Sequence, residues 1–277
     1  MSTLYLVATP IGNLEDITHR AVRVLGEVSV IAAEDTRTTG KLLKHYDLAT
    51  PLTSYHEHNK AQKVDQLLAY LSQGDLALVS DAGMPGINDP GFTLVNAALE
   101  AGHTVSPIPG PTAPIAALSV SGLAADSFLY LGYLPRKKSQ RRKFLDEVKG
   151  FPYTLIFLET PHRLRDALSD MVGCLGDRKI AVARELTKLH EEIFRGRISE
   201  AQQHFEEQEP RGEITLVVNG SDPVGLIWSE DTLRETLKEA QQGGKKSPSQ
   251  IAKEIAKISG WKRSDVYNII RESKIEG

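Results

Sequence analysis

The first half of this 277-residue chain alternates β-rich runs with segments of helical spacing, and this alternation constrains the fold more than any other feature. Within one such segment, Val64, Leu67 and Leu71 fall on one helix face. The pattern predicts strands at Leu4–Ala8, Val28–Ala33, Leu76–Ser80 and Thr104–Ile108, and helices at Thr18–Leu25, Thr36–Tyr46, Lys60–Ser72 and Pro90–Ala101. Such alternation is typical of a largely parallel α/β sheet covered by helices. In sheets of this class a ligand site lies beyond the carboxyl ends of the strands.

The pattern changes after Gly122. Strands are predicted at Phe128–Gly132, Tyr153–Glu159, Lys179–Arg184, Ile193–Arg197 and Ile214–Asn219, with helices at Gln140–Val148 and His162–Gly173. They indicate a second α/β unit with more antiparallel pairing. Beyond a Gly/Asp/Pro linker at 220–225, short helices are predicted at Asp231–Ala240, Pro248–Ile258 and Ser264–Glu272. We therefore predict an N-terminal α/β domain at 1–122, a second α/β domain at 123–222 and a small all-helical C-terminal domain at 226–277.

Charge is unevenly distributed along the chain. The 33 basic and 36 acidic side chains give a net charge of −3, which excludes a uniformly basic nucleic-acid surface but not a local patch. The densest basic run comprises Arg136, Lys137, Lys138, Arg141, Arg142 and Lys143. We predict that this basic run contacts the RNA backbone, with a solvated face as the alternative. Lys188, at the end of a later strand, is a further RNA-binding candidate, and its alternative is a salt-bridged strand end.

The C-terminal helices carry further cations around Trp261: Lys245, Lys246, Lys253, Lys257, Lys262 and Arg263. A helix-turn-helix-like module that grips RNA by shape fits this pattern. A dimer contact and a stabilising cap are the competing interpretations.

Composition excludes several classes of protein. Cys174 is the single cysteine, so the chain forms no intramolecular disulfide and no cysteine-based zinc site. The N-terminal residues lack the basic start of a signal peptide, and the apolar stretch at 108–120 is too short to span a bilayer. We expect a cytoplasmic protein without a membrane partner.

Three Gly/Pro-rich loops follow predicted strands of the first half, at residues 8–14, 80–91 and 109–113. Glycine lets a backbone approach a ligand closely, and proline stiffens a loop so that little entropy is lost on binding. The patterns GxGxxG and GxxxxGKS/T do not occur, so the common dinucleotide and P-loop sites lack their signature. A single loop of this kind is an ordinary strand-to-helix turn, but three at strand ends predict a ligand site.

The loops, in this order and spacing, resemble those of the tetrapyrrole-methylase-like family of S-adenosylmethionine-dependent methyltransferases. The motifs are TPIGNL at Thr9–Leu14, AEDTR at Ala33–Arg37, SDAG at Ser80–Gly83, NDPG at Asn88–Gly91 and PGPT at Pro109–Thr112. They are most similar to the RsmI-type branch, which methylates the ribose 2′-hydroxyl of a cytidine in bacterial small-subunit (16S) rRNA. The tetrapyrrole enzymes proper carry a GxGPG-like first loop and a GDP-like second loop. TPIGN and SDAG stand in their place here, which favours the RNA branch.

The resemblance implies two α/β domains with S-adenosylmethionine in the cleft between them, and a homodimer. Carried over by position, the cofactor-binding residues are Pro10, Gly12, Asp81, Ala82, Gly83, Ile87, Pro109, Gly110 and Pro111. The loops contain no lysine or arginine, as the binding of a sulfonium cation requires.

The acceptor hydroxyl is weakly acidic, so alignment and a nearby proton acceptor both matter. The catalytic candidates are Glu34 and Asp35, which follow the second strand, with Arg37 beside them. An acidic helix cap with Arg37 as its ion partner is the alternative. Asp16, His56 and Glu57 are weaker candidates for the proton acceptor. We expect no metal, since methyl transfer from a sulfonium needs none and His56 and His58 lack a third ligand in the sequence.

Two other functions remain open from the sequence alone. The first is an RNA-binding assembly factor on a methylase-like scaffold, and the Gly/Pro loops argue against it because an inactive scaffold has no use for them. The second is a precorrin-type tetrapyrrole methyltransferase. The basic run and the helical tail argue against that one, since a small planar substrate needs neither.

Overall fold

The computed structural model describes residues 2–89, 91–207, 210–221, 228–242 and 247–272. Most of the predicted linker, together with Pro90, Lys245 and Lys246, lies outside the described residues, as does the side chain of Lys257. Residues up to 149 and residues 153–219 form one compact unit, while residues 150–152 and those from 220 onward form a second. Both predicted α/β domains therefore lie in the first unit and the predicted helical domain lies in the second. No described helix is long and apolar enough to cross a membrane.

The first sheet has five parallel strands, in the order β3-β2-β4-β1-β5. Its strands are β1 (Thr3–Val7), β2 (Val30–Ala33), β3 (Leu52–Ser54), β4 (Leu76–Val79) and β5 (Thr104–Ile108). The helices between them are α1 (His19–Glu27), α2 (Thr36–His45), α3 (Lys60–Leu71) and α4 (Gly91–Glu100). The predicted parallel α/β sheet is confirmed, and the sequence had given no strand at β3.

Helices cover both faces of this sheet. Alternate residues of β2 enter different cores, with Ile31 and Ala33 packing against α1 and α2 and Val30 and Ala32 packing against α3 and α4. Every residue of β2 is buried, as expected for a strand that is covered on both sides. The carboxyl ends of the strands, where the Gly/Pro loops begin, lie together at one edge of the sheet.

The second sheet follows the order β6-β7-β10-β8-β9 and is mainly antiparallel. Its strands are β6 (Phe128–Tyr133), β7 (Thr154–Glu159), β8 (Lys179–Arg184), β9 (Glu192–Arg197) and β10 (Ile214–Val218). One face packs on α6 (Lys138–Val148), α7 (Pro161–Leu175) and α8 (Ile198–Glu207). The other face packs on α5 (Ala113–Ser121), which follows β5 of the first sheet. The predicted antiparallel character is confirmed.

The second unit is helical, as predicted. It contains α9 (Glu230–Gln242), α10 (Pro248–Ser259) and α11 (Arg263–Glu272), which share a core built on Leu233, Leu237, Ile251, Val266 and Ile270. Ser247 begins α10 with a capping box, and Gly260 ends it with φ 71°. The indole N–H of Trp261 donates to the Trp228 carbonyl at 2.7 Å, so Trp261 is a packing residue of this unit.

Candidate active site

A cavity of about 450 Å³ opens at the carboxyl ends of β1, β2, β4 and β5, facing β6, β7 and β10 of the second sheet. The loops after the four parallel strands supply one wall and the second sheet supplies the other. The first two loops are tied together by paired backbone hydrogen bonds between Thr9 and Gly83, each 3.0 Å long. The predicted location of a ligand site, beyond the strand ends, agrees with this cavity.

The cavity is acidic. Glu34, Asp81, Asp89 and Glu213 line it, and the described lining residues include no lysine, arginine or histidine. Elsewhere the wall is apolar or aromatic, with contributions from Ile11, Met84, Ile87, Ile115, Tyr130, Tyr133, Leu158 and Ile214. Such a cavity fits a ligand that combines a cationic centre with a flat, largely apolar ring system. S-adenosylmethionine is a ligand of that kind, so the residues present fit the cofactor that the resemblance implies.

Two of the carboxyl groups, those of Glu34 and Asp81, are joined through the backbone. Glu34 Oε2 accepts a hydrogen bond from the Asp81 N–H at 3.3 Å, and Asp81 Oδ1 accepts one from the Asp35 N–H at 3.1 Å. Burial raises the pKa of Glu34, and the charges of Asp81 and Asp89 add to the shift. Burial also raises the pKa of Asp81, with the charges of Asp35 and Glu213 acting in the same direction. Both groups accept a proton more readily than an exposed carboxylate does.

The other two predicted catalytic residues point elsewhere. Asp35 caps α2 by accepting from the Arg37 N–H at 2.8 Å, and its carboxylate also pairs with the Arg37 guanidinium at 2.6 Å. The hydrogen bonds to Arg37 lower the pKa of Asp35 to about 2. Arg37 is exposed and neither residue lines the cavity. The capping alternative therefore describes Asp35, and Glu34 is the member of the cluster that the structure brings to the cavity.

The structure places four of the nine predicted cofactor-binding residues on the cavity wall, namely Asp81, Ala82, Gly83 and Ile87. Of the first loop, Ile11 lines the cavity, whereas Pro10 and Gly12 line a separate cavity of about 300 Å³ beside α2. A Cβ on Gly12 would lie 2.8 Å from the Leu186 carbonyl oxygen, so this glycine permits the close packing of a turn of the second sheet.

The third loop differs from the prediction in register. Pro109, Gly110 and Pro111 do not line the cavity, and the next four residues, 112–115, do. A Cβ on Gly110 would lie 2.9 Å from the Ala8 Cβ, so Gly110 is required by the packing of two loops against each other. Asp16, His56 and Glu57 line neither of the two cavities. In the described residues, no group of three or more His, Cys, Asp or Glu side chains is arranged to hold a metal ion.

Sequence reasoning missed the aromatic wall. Tyr130 and Tyr133 of β6 both line the cavity, although their spacing would place them on opposite faces of a regular strand. The register of β6 shifts between these two residues, at Gly132, which has φ 65°. The irregularity turns Tyr133 to the face of Tyr130, because bulges re-aim side chains. Burial raises the pKa of Tyr130 to about 12, so its hydroxyl stays neutral.

The structure corrects one member of the basic run. Arg141 is 3% exposed, and its guanidinium binds Asp170 of α7 at 2.7 and 2.8 Å. It therefore cannot present its charge to a phosphate, and the prediction that it binds RNA is wrong. The other five cations of the run are exposed and have no carboxylate partner within the described part of the chain: Arg136, Lys137, Lys138, Arg142 and Lys143.

Lys188 also has a different role from the predicted one. It is partly buried, and its ammonium group binds Glu185 at 2.9 Å and Glu213 at 3.4 Å. Burial opposes its charge, yet these two carboxylates raise the pKa of Lys188. Glu185 and Thr187 of the same turn have φ values of 50° and 66°, so the turn is held in an uncommon conformation. The ion pairs favour the salt-bridged strand end over an RNA contact.

Comparison with known proteins agrees with this architecture. The profile of the tetrapyrrole (corrin/porphyrin) methylases matches residues 3–202. The methyltransferase CobJ has a similar structure, with a TM-score of 0.61 and 17% identity over 81% of this chain and 98% of that one. A uroporphyrin-III C-methyltransferase from Thermus thermophilus, complexed with S-adenyl homocysteine, gives a TM-score of 0.56 and 21% identity over 79% and 97% of the two chains. At these identities the similarity shows the fold, and it confirms the predicted fold class.

Curated relatives are similar along nearly the whole chain. The ribosomal RNA small subunit methyltransferase I of Halalkalibacterium halodurans is 48% identical over 275 residues, which cover 98% of this chain and 95% of the relative. The proteins of the same name from Synechocystis and Bacillus subtilis are 46% and 45% identical, and the alignments cover at least 95% of every chain involved. The resemblance inferred from the loop motifs is thereby confirmed. The chain belongs to the ribosomal RNA small subunit methyltransferase I family, within the tetrapyrrole methylase fold.

Proposed function

We propose that this protein is an S-adenosylmethionine-dependent methyltransferase that methylates the ribose 2′-hydroxyl of a cytidine in bacterial 16S rRNA. The names of the curated relatives support a methyltransferase of small-subunit rRNA. The observation that carries the proposal is the acidic, cation-free cavity at the carboxyl ends of the parallel strands. A cytoplasmic location and a homodimer belong to the same proposal and rest on the family resemblance.

The second loop and β6 would hold the cofactor. Asp81, Ala82 and Gly83 offer backbone groups and a carboxylate, while Tyr130 and Tyr133 offer flat faces for an aromatic ring. The carboxylates around them attract a cation and repel anions. When bound, S-adenosylmethionine supplies an electrophilic methyl group. Pro10, Gly12 and Pro109–Pro111 support these loops from outside the cavity.

Glu34 is the proton acceptor in this proposal. The bond from the methyl carbon to the cofactor sulfur breaks as a bond from the 2′-oxygen to that carbon forms, and the hydroxyl proton passes to the Glu34 carboxylate. Its raised pKa makes Glu34 a stronger base than Asp35, whose pKa lies near 2. General bases of this kind contribute about 10²–10⁴-fold in rate. Asp35 holds Arg37 at the exposed start of α2, where the guanidinium is available to RNA phosphate.

The five exposed cations of the basic run would bind the RNA backbone. Phosphate contacts position an RNA without reading its sequence, so the identity of the cytidine must be read elsewhere. The exclusion of Arg141 leaves this surface on the outer side of α6 and the segment before it.

The test is transfer of a labelled methyl group to naked 16S rRNA, to assembled small subunits and to a tetrapyrrole precursor in parallel. We expect label in RNA, and nucleoside digestion should release it as 2′-O-methylcytidine. Label on a base or on the tetrapyrrole would refute the acceptor. The absence of saturable S-adenosylmethionine binding in calorimetry would favour an assembly factor over an enzyme.

Paired variants test the base. Glu34→Gln should lower the single-turnover rate by about 10²-fold or more and leave cofactor affinity within a few-fold. Asp35→Asn is the matched control, because it changes the neighbouring carboxylate, which lies outside the cavity. If Asp35→Asn lowers the rate as much as Glu34→Gln does, with equal thermal stability, the assignment of Glu34 is wrong.

A further inference from the structure

The second cavity, of about 300 Å³, lies between the first loop and α2. One side is apolar, formed by Pro10, Leu14 and Leu42, and the other carries the hydroxyl groups of Thr9, Thr38, Thr39 and Ser80. Lys41 and Thr38 are exposed at its rim. Its volume is at the lower end of the range for small-molecule sites, which suits a ligand the size of one nucleotide.

The walls of this cavity are held by hydrogen bonds at both ends. The Thr9 hydroxyl donates to the Ser80 carbonyl at 3.1 Å, which joins the first loop to the second. The Tyr46 hydroxyl, at the end of α2, donates to the Leu14 carbonyl at 2.5 Å, which joins the helix to the first loop. The cavity is therefore formed before any ligand binds, and little ordering cost falls on binding.

The two cavities share part of their wall. Ser80 and Asp81 line both, and Glu34 lies next to Asp81, hydrogen-bonded to its N–H. A ligand in the smaller cavity and a ligand in the larger one would thus meet at Ser80 and Asp81. Methyl transfer needs such a meeting point, because the acceptor oxygen must approach the methyl carbon in line.

We propose that the smaller cavity binds the acceptor nucleotide of a single-stranded or unstacked RNA segment, an inference that rests on the proposed function. The base lies against Pro10, Leu14 and Leu42, the ribose faces the threonine hydroxyls, and the 2′-hydroxyl points to Asp81. Lys41, which has no carboxylate partner in the described residues, binds a flanking phosphate. A nucleotide stacked inside a helix does not fit a cavity of this kind, so the target must leave its stack.

Three variants on α2 test this assignment. Thr38→Phe fills the rim from an exposed position, and Lys41→Ala removes the proposed phosphate contact. Lys44→Ala is the matched control, since Lys44 is an exposed lysine on the same helix that lines neither cavity. Calorimetry with S-adenosylmethionine, fluorescence anisotropy with a short RNA that carries the target cytidine, and methyl transfer to the preferred RNA substrate are measured for each.

We expect cofactor affinity within twofold of wild type in all three variants, because none of these side chains lines the larger cavity. Thr38→Phe should lower methyl transfer by about 10²-fold, the scale of a misplaced reactant. Lys41→Ala should weaken RNA binding and lower the slope of log affinity against log salt by about 0.7. Lys44→Ala should behave as wild type.

The outcomes separate this inference from the proposed function. If the wild-type protein methylates RNA and both Thr38→Phe and Lys41→Ala match Lys44→Ala, the acceptor lies elsewhere and only this inference fails. If the wild-type protein methylates no RNA, the proposed function itself fails. Should Thr38→Phe fail to fold in circular dichroism, the salt slope of Lys41→Ala decides the question alone.

Discussion

Gly132 offers a sharp test of how the aromatic wall of the larger cavity is built. It lies at the irregularity of β6, with φ 65°, and a Cβ placed on it would lie 2.6 Å from the Asn88 Nδ2. Asn88 lines the cavity, as does Tyr133 beside Gly132. Gly132→Ala should therefore displace Asn88 and disturb the orientation of Tyr133.

The magnitude has two parts, and a control separates them. An alanine in the left-handed region costs about 1–2 kcal/mol of stability. Gly102→Ala should cost this alone, because Gly102 has φ 79° and its Cβ would meet nothing within 4 Å. Gly132→Ala should pay the same strain and also lose one polar contact to a bound ligand. That contact is worth about 0.5–1.5 kcal/mol, or about two- to tenfold in cofactor affinity.

Urea denaturation and calorimetry with S-adenosylmethionine measure the two parts. In an Asn88→Gly background the clash is absent, so adding Gly132→Ala should cost only strain and should not weaken binding further. Asn88 itself has φ 66°, a conformation that glycine adopts easily, so this background should fold. Equal cofactor affinity of Gly132→Ala, Gly102→Ala and wild type would show that the contact does not shape the site.

Three further outcomes follow from the charges. Arg141→Met should lower the free energy of unfolding by about 3–5 kcal/mol, because it leaves the Asp170 carboxylate buried without its partner, and chemical denaturation measures the loss. Alanine at both Arg142 and Lys143 should leave unfolding nearly unchanged but lower the RNA salt slope by about 0.7–0.9 per lost contact. As the pH falls toward 4.5, the raised pKa of Glu34 protonates it early, so affinity for S-adenosylmethionine should drop. S-adenosylhomocysteine, which lacks the sulfonium charge, should lose less affinity over the same range; equal losses would remove Glu34 from the cofactor's field.

The boundaries of the regular elements were readable from the sequence where local periodicity was strong. The strands after the first loop and the helices with one apolar face agree with the structure to within a few residues. β3 was missed because three residues carry too little alternation to register. α5 was missed because it is apolar on most sides and has a proline in its first turn, which hides the helical period.

The catalytic candidates show a different limit. The sequence brought Glu34, Asp35 and Arg37 together as one cluster, and the capping geometry between Asp35 and Arg37 followed from their spacing alone. Which carboxylate enters a cavity depends on the direction of each side chain at the end of β2 and on the loop that packs against it. The hydrogen bond from the Asp81 N–H to Glu34, across 47 positions of the chain, settled that choice.

Arg141 makes the same point for the basic run. Its spacing from Leu145 and Val148 places all three on one stripe of α6, so its burial was foreseeable. Its partner was not, because Asp170 lies on α7, 29 positions away. A burial pattern is a property of neighbours along the chain, whereas an ion pair requires knowing which helices meet.

The sequence by itself determined the α/β class, the mixed second sheet, the helical C-terminal unit and the family, because each depends on local periodicity or on motifs of a few residues. The tertiary structure alone decided that Tyr133 joins Tyr130 on one wall, that Pro10 and Gly12 line a second cavity, and that Ser80 and Asp81 are common to both cavities. The physical reason is that a cavity is formed by loops distant in sequence, and the contacts that shape it leave no periodic trace in the chain.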